Sequence, residues 1–343
     1  DLSDEQNPRY TVVNPALEAP ERYTFRRIEL TNGFTTDKDR NARVDLLLPL
    51  RQGENESRLK FGARIRSKEK VRDNDYFFAT PTDAFGNMLA EGAQDFSTES
   101  NRAGDYRYGF FSTPAFLAGL DLRNPALFEL EDQPGEYAAG NFDASERIAA
   151  GYVQLDQRFG PRVSLVGGVR LEQTRIEYRG FEYDIDEDVA RPTPTATQSY
   201  ANVLPSVNVR FDVDANTVLR GAVTTSLARP NYFDLVPYRE ISLEDEELSI
   251  GNPDLKATRA VNFDLMAERY FESVGLVSAG VFHKDISDFI FGFTQFSAVD
   301  PVTGREFRSI SQPRNGASAS LTGVEVAFQR QLDMLPGLLR YVG

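Results

Sequence analysis

NARVDLLLPL, residues 41–50, is the stretch on which the fold turns. Ala42, Val44, Leu46, Leu48 and Leu50 take every second position, with Arg43 and Asp45 between them. Residues i and i+2 of an extended chain point the same way, so this spacing predicts a strand with one apolar and one charged face. A polar turn, RQGENES at 51–57, leads into RLKFGARIRS at 58–67. There Leu59, Phe61, Ala63 and Ile65 share one face, and Lys60, Arg64 and Arg66 share the other.

The pattern recurs along the chain. Ala149, Gly151, Val153 and Leu155 alternate with Tyr152, Gln154 and Asp156. Val163, Leu165, Val169 and Leu171 oppose Ser164, Arg170, Glu172 and Thr174. Val207, Val209 and Phe211 oppose Ser206, Asn208, Arg210 and Asp212, and Leu219, Val223 and Leu227 oppose Arg220, Thr224 and Ser226. Val261, Phe263, Leu265 and Ala267 oppose Asn262, Asp264 and Glu268. Val277, Ala279 and Val281 form a row in 276–290, and Val324, Val326 and Phe328 oppose Glu325 and Gln329 in 317–332. A further strand is expected at about 23–36, where the alternation is poor. Ten strands result. Their connections alternate in length, short near 51–57, 159–161, 213–216, 272–275 and 333–337, and long at 73–146, 180–199, 228–258 and 291–316. That is the rhythm of an antiparallel up-and-down transmembrane barrel with short periplasmic turns and long extracellular loops.

Composition fits this reading. Only 41% of the 343 residues are hydrophobic. No run of about 20 apolar residues offers a transmembrane helix, but transmembrane strands hide their apolar character by alternation. The net charge of −14 argues against a nucleic-acid partner. Residues 73–146 hold fourteen acids against three arginines, a net of −11, and read as one long acidic extracellular loop. Cysteine is absent, so disulfides and thiolate metal sites are excluded. Asp-Leu-Ser-Asp at the start carries no signal-peptide pattern, as expected if a leader was removed or the sequence begins inside a longer protein. Aromatics near strand ends, among them Tyr152, Phe159, Tyr178, Tyr200, Phe211, Tyr270, Phe271 and Phe328, suit interfacial girdles. Periodicity alone does not choose which face meets lipid. A soluble sandwich also alternates, but it has no reason to place every long loop at one end or to hold one as long as 73–146.

The motifs have plain readings beside functional ones. Gly251-Asn252-Pro253-Asp254-Leu255 is a turn by its chemistry and an anchor where a loop descends into a strand. Leu227-Ala228-Arg229-Pro230 marks the other end of that loop, and Arg229 suits either an anionic ligand or a structural hydrogen bond. Asp184, Asp186, Glu187 and Asp188 offer hard oxygens for calcium but lack the EF-hand spacing, and read as a solvated acidic loop, as does 244–247. Aromatics at Tyr76, Phe77, Phe78, Tyr106, Tyr108, Phe110 and Phe111 can stack on sugar or siderophore rings or pack the loop on its neighbours. His283 is the only histidine, which leaves little for a catalytic triad or a histidine-rich metal site. No catalytic, metal or cofactor residues are therefore assigned. The ligand-contact candidates are Tyr76, Phe77, Tyr106, Tyr108, Arg229, Tyr232 and Tyr238.

LPSVNVRFDVDANTVLRGAVTTSLARPNYFDLVP (204–237), GNPDLKATRAVNFDL (251–265), LVSAGVFHKDISDFI (276–290) and NGASASLTGVEVAFQRQL (315–332) resemble, in order and spacing, the C-terminal half of TonB-dependent receptors. ERIAAGYVQLDQRFGPRVSLVGGVRLEQT (146–174) resembles them too, and 41–72 does so more loosely. Their style is similar to a subgroup often linked to carbohydrate uptake. The resemblance implies part of a 22-stranded barrel that holds an N-terminal plug. At about 31 residues per strand the whole barrel would need roughly 680, so the chain is about half of it. No plug motif or TonB box is found, and Leu-Arg-Tyr-Val-Gly at the end reads as the start of a further strand. An open sheet cannot leave unpaired edges in lipid, so further sequence or another chain is expected to close it.

The resemblance further implies an outer-membrane transporter of a Gram-negative cell rather than an enzyme. Its partners would be TonB, outer-membrane lipid and a small-molecule or oligosaccharide ligand, with iron-siderophore, oligosaccharide and cobalamin all open. The row Arg64, Arg170, Glu172, Arg210, Arg220, Asp264, Glu268 and Glu325 would face the lumen. The competing readings are a barrel-borne adhesin or enzyme and a soluble β-rich binding protein. An enzyme would place an acid–base constellation at the rim, and the sequence shows none.

Overall fold

The computed structural model describes residues 14, 16, 19–86, 88–96, 100–101, 106–107, 109–185, 187–242, 245–271 and 275–330. Fifteen of its strands carry the account: β1 (Ile28–Arg51), β2 (Ser57–Pro81), β3 (Phe128–Asp132), β4 (Phe142–Phe159), β5 (Val163–Asp184), β6 (Val189–Pro192), β7 (Ala196–Asp214), β8 (Thr217–Ala228), β9 (Arg239–Ser242), β10 (Glu247–Ile250), β11 (Thr258–Phe271), β12 (Gly275–Ser287), β13 (Ile290–Val299), β14 (Glu306–Asn315) and β15 (Ser318–Arg330). The order β1-β2-β4-β5-β7-β8-β11-β12-β15 is antiparallel throughout and follows the sequence, the meander that the alternation of connections predicts.

These are nine staves among the described residues, not ten. The weak strand expected at 23–36 is the first half of the 24-residue β1. Ile28 and Leu30 are half-buried against Phe85 and Phe128, but nearly every residue from Thr31 onward is exposed, so no apolar row runs through it. A tilted transmembrane strand needs about 9–11 residues, and β1, β2, β5 and β7 run to 24, 25, 22 and 19. The connections at 159–161 and 213–216 are tight turns. In the first, Gly160 takes φ 62 and donates its amide to Asn55 Oδ1 at 2.8 Å. Residues 333–337 and 272–274 lie outside the described residues.

Register fixes the faces. Val209, Gly221, Leu265, Val281 and Val324 are successive partners across five strands, and so are Phe211, Leu219, Ala267, Ala279 and Val326. One residue out of step lie Arg210, Arg220, Met266, Gly280 and Glu325. All eight charged residues expected on one face share it. The apolar face is uncovered: Leu265 is 58% exposed and Val326 74%. Phe159, Phe211, Phe271 and Phe328 stand on this apolar face near the short turns. Tyr152, Tyr178 and Tyr200 do not join such a girdle. They lie on the charged face, where Tyr152 donates to Asp45 and Tyr178 to the Pro253 carbonyl at 2.5 Å.

The long connections are built rather than loose. Two compact units divide the chain. One comprises Asp1–Gly33 with Asn74–Tyr137, the other Phe34–Asp73 with Ala138–Gly343. In the first, the stretch read as a 73–146 loop begins as strand, since β2 continues to Pro81 and pairs with β3. Phe85 and Phe128 pack at 4.6 Å between centroids, with Ala79 buried beside them. In the second unit, the connections after β5, β8 and β12 are hairpins. β13 pairs with β14, β14 runs parallel to β10, and β9 meets β5 at Arg239 opposite Glu182.

Candidate functional site

The charged face of the second unit concentrates its chemistry near the long connections. Glu146 on β4 and Glu172 and Thr174 on β5 share this face. Arg229 reaches them from the end of β8. The proline that follows keeps Arg229 extended and out of any helix. Its Nη2 donates to Glu172 Oε2 at 2.6 Å and to Thr174 Oγ1 at 3.1 Å, and its Nε lies 3.6 Å from Glu146 Oε2. Arg170 donates to the other oxygen of Glu172 at 2.7 Å. One guanidinium thus serves two carboxylates whose side chains are only 7% and 12% exposed.

Above this cluster, residues 229–257 fold against the charged face. A short helix, Tyr232–Leu235, brings Leu235 and Val236 onto Phe142, Ile176 and Tyr178. Apolar residues appear on the charged face here because the connection, not solvent, covers them. Tyr238 stacks on Phe233 at 4.4 Å in the same core. Burial pushes the Tyr238 hydroxyl up to about 12, helped by Glu240 and Asp234. Burial also raises Tyr232, and Glu146 adds to it by accepting from its hydroxyl at 3.5 Å.

The Gly-Asn-Pro-Asp-Leu turn is the hub of this packing. Asn252 donates its amide to Asp234 O at 2.8 Å and its side chain to Pro313 O at 2.9 Å. Gln198 donates to Leu255 O at 3.0 Å, and Leu255 is fully buried. Glycine at 251 is required by space and not by backbone angle. Its φ is not positive, but a Cβ there would run into the Val236 carbonyl. Gly251→Ala is expected to destabilise the receptor by roughly 1–3 kcal/mol, as overpacking does, read as a lower denaturation midpoint. An unchanged midpoint contradicts this close approach.

A second buried pair holds the hairpins together. Asp300, 1% exposed, accepts from Arg239, from Thr303 Oγ1 and from the amides of Val302 and Thr303, the last two at 3.2 Å. Arg239 also lies 3.8 Å from Glu182. Burial opposes the charge on Asp300, but these donors outweigh it and hold its carboxyl below the usual range. A depressed carboxyl contributes stability above its unfolded pKa and loses it as pH falls through the folded value. Hydrogen exchange in 239–250 is therefore expected to stay slow from neutral pH down through the ordinary carboxylate range and to accelerate below it. Asp300→Asn should make exchange fast at neutral pH as well, and equal protection in both proteins contradicts the pairing.

Of the predicted contact residues, Arg229, Tyr232 and Tyr238 come together in this cluster and its cover. Tyr76 and Phe77 lie on β2 in the other unit, where Tyr76 donates to Glu29 at 2.5 Å and Phe77 pairs with Asp132. Nothing is described of the Tyr106 side chain, and Tyr108 lies outside the described residues. Of the acids at 184–188, Asp186 lies outside the described residues and the other three are partnered: Asp184 by Arg191 at 2.8 Å, Glu187 by Arg191, and Asp188 by Tyr183 at 2.8 Å. Among the described residues no group of three or more metal-ligating side chains converges. His283 lies in the row of Phe263 on the apolar face, its ring nitrogens on Thr322 at 2.7 Å and Asp285 at 3.0 Å. Sequence reading missed Glu146 as the second partner of Arg229, although its place two residues before Ile148 puts it on the charged face. It also missed Asp300, for which Asp-Pro-Val-Thr-Gly is the turn signal.

A meander of long antiparallel staves, with one uncovered apolar face, one ion-paired face and every long connection at one end, defines the β-barrel class of membrane transporter. The family model described as TonB dependent receptor-like, beta-barrel, matches residues 2–342, and the chain belongs to that family. These receptors are transporters of the Gram-negative outer membrane, not enzymes. Among solved structures, the ferric enterobactin receptor PfeA of Pseudomonas aeruginosa is similar at 18% identity and a TM-score of 0.50, over 85% of this chain and 33% of that one. The ferric-catecholate import receptor Fiu of Escherichia coli K12 is similar at 12% identity and a TM-score of 0.52, over 87% and 36%. The likeness is one of fold, and the chain spans about a third of the length of these receptors. No curated protein matches it.

Proposed function

We propose that this chain is the membrane-spanning part of an outer-membrane receptor that binds a scarce ligand and imports it with energy delivered through TonB. The observation that carries this reading is the sheet's uncovered apolar face, with Leu265 58% and Val324 71% exposed, backed by a face of ion pairs. Water would not tolerate so wide an apolar surface, whereas the hydrocarbon of a bilayer matches it. The charged face, with Arg64, Arg170, Glu172, Arg210, Arg220, Asp264, Glu268 and Glu325, then lines the lumen. A plug packed inside would meet this face of ion pairs.

Ligand contact falls to the long connections, with Tyr76, Phe77, Tyr106 and Tyr108 able to stack on sugar or siderophore rings. Arg229, Tyr232 and Tyr238 serve the same end by holding the 229–257 connection in place. The ligand class is an iron-siderophore or an oligosaccharide. The test is to express the full-length receptor, fractionate the cells and measure uptake with TonB present and deleted. Retention in carbonate-washed outer membranes, faster migration of the unheated protein and TonB-dependent uptake are expected. A soluble protein with ordinary migration overturns the reading.

A further inference from the structure

Alternation on β2 sorts charge as well as hydrophobicity. Its charged-face positions from 58 to 72 read Arg58, Lys60, Gly62, Arg64, Arg66, Lys68, Lys70 and Arg72, a row of cations broken by one glycine and holding no acid. The register with β4 runs unbroken from Ser57 opposite Gln157 to Arg72 opposite Phe142, so nothing shifts the parity and these positions share one face. Lys68 identifies that face, since its ammonium lies 5.4 Å from the centre of the Tyr232 ring, on the connection that covers the charged side. Neighbouring staves mix signs or lean acidic there: β4 holds Glu146 and Asp156, β5 holds Arg170 and Glu172, and β11 holds Asp264 and Glu268. Successive rungs on β2 are two residues, or about 6.6 Å, apart. The row covers roughly 46 Å, enough at the usual strand tilt to cross a hydrocarbon core of about 30 Å.

The neighbouring strands answer only part of this charge. Arg66 donates from Nε to Asp39 at 3.0 Å, Lys68 lies 3.1 Å from Asp37, and Arg58 lies 3.6 Å from Asp156. Lys60, Arg64, Lys70 and Arg72 take no ion pair among the described residues. Lys70 and Arg72 stand toward the long connections, and Lys60 and Arg64 stand deeper. Rungs this close lie within a Debye length of one another, so they repel until an anion spans them. Arg64 also lines a cavity of about 390 Å³ with Tyr152, Gln154, Arg170 and Ser206. Gln154 and Ser206 add uncharged hydrogen-bonding groups, which suit sugar hydroxyls.

We infer that this row is a binding track for an extended anionic oligosaccharide, one that carries a carboxylate or a sulfate on successive sugars. The inference rests on the transporter reading and chooses between its two ligand classes. A chain with repeated charges engages several rungs at once, and each engaged rung holds the next charge at high effective concentration. A compact iron chelate meets one or two rungs and leaves the rest of the row unused. Lys70 and Arg72 receive the chain first, and Arg64 and Lys60 take it on toward the short turns.

The test uses the full-length receptor in mild detergent and calorimetry with four probes: hexagalacturonate, a sulfated galactan hexasaccharide, uncharged maltohexaose and ferric citrate. The variant Lys70→Gln/Arg72→Gln spares the ion-paired rungs, so it strands no carboxylate, and migration with and without heating is recorded for both proteins. The expected result is a heat-modifiable wild type that binds one of the acidic hexasaccharides, carboxylated or sulfated, more weakly as salt rises. Maltohexaose should not bind, and the variant should bind the acidic chain about tenfold more weakly. In cells, Lys60→Gln/Arg64→Gln should slow uptake of the same chain. Failure of both acidic chains to bind, equal affinity in wild type and variant, or tighter binding of ferric citrate overturns the track while a heat-modifiable receptor keeps the barrel. A wild type without heat-modifiability overturns the barrel reading and the track with it.

Discussion

Arg229→Leu is expected to destabilise the folded receptor by about 3–5 kcal/mol, the range for removing one partner of a buried ion pair. The change leaves Glu146 and Glu172 on the same face without the guanidinium that lies 3.6 and 2.6 Å from them. Arg170 still holds one oxygen of Glu172, so the larger loss falls on Glu146. Arg229→Lys should recover only part of the stability, because an ammonium is a point charge and does not match two carboxylates and a hydroxyl as a planar fork does. The readout is the guanidinium midpoint of refolded receptor in detergent. The paired variant Glu146→Gln/Arg229→Leu separates an electrostatic cause from a packing one. It should be more stable than Arg229→Leu alone, since a charge left without a partner has been removed. If the pair is no more stable than the single variant, the cluster is not held by charge.

Leu265→Arg is expected to cost about 2–4 kcal/mol, the range for an arginine facing lipid near the bilayer midplane. Leu265 lies midway along β11 and is 58% exposed on the apolar face. Its neighbour Met266 lies on the charged face in the row of Arg220, Gly280 and Glu325. Met266→Arg should therefore cost little. The contrast between two adjacent positions, measured by folding into lipid vesicles, is what period two demands. In a soluble sheet the order would reverse.

These expectations rest on features that differed in how far the sequence exposed them. The staves from 41–67 and 146–332 were legible because a one-sided environment selects residues at every second position, as in Val44, Leu46 and Leu48 or Phe263, Leu265 and Ala267. The first half of β1 was not, because only Ile28 and Leu30 find a one-sided cover there, while residues 31–40 are exposed almost throughout and nothing selects between their faces. Apolar positions also change sides where a connection covers the charged face: Ile176 and Tyr178 are buried there by Leu235 and Val236. Alternation alone gave no warning of that cover. The parallel seam between β10 and β14 and the Arg239–Asp300 pair join segments about 60 residues apart, and no local signal reports a pairing of that range. The charged row on one face was legible in full. The partner that Arg229 finds on β4 was legible as a face but not as a contact.

The central claim is that the apolar rows meet lipid and the charged rows do not. This chain carries no cysteine, so single cysteines can be placed at will from 263 to 268 and labelled with an environment-sensitive fluorophore. Quenching by lipids brominated on their acyl chains should be strong at Phe263, Leu265 and Ala267 and weak at Asp264, Met266 and Glu268. Quenching with the opposite parity, or none at any position, would contradict the account.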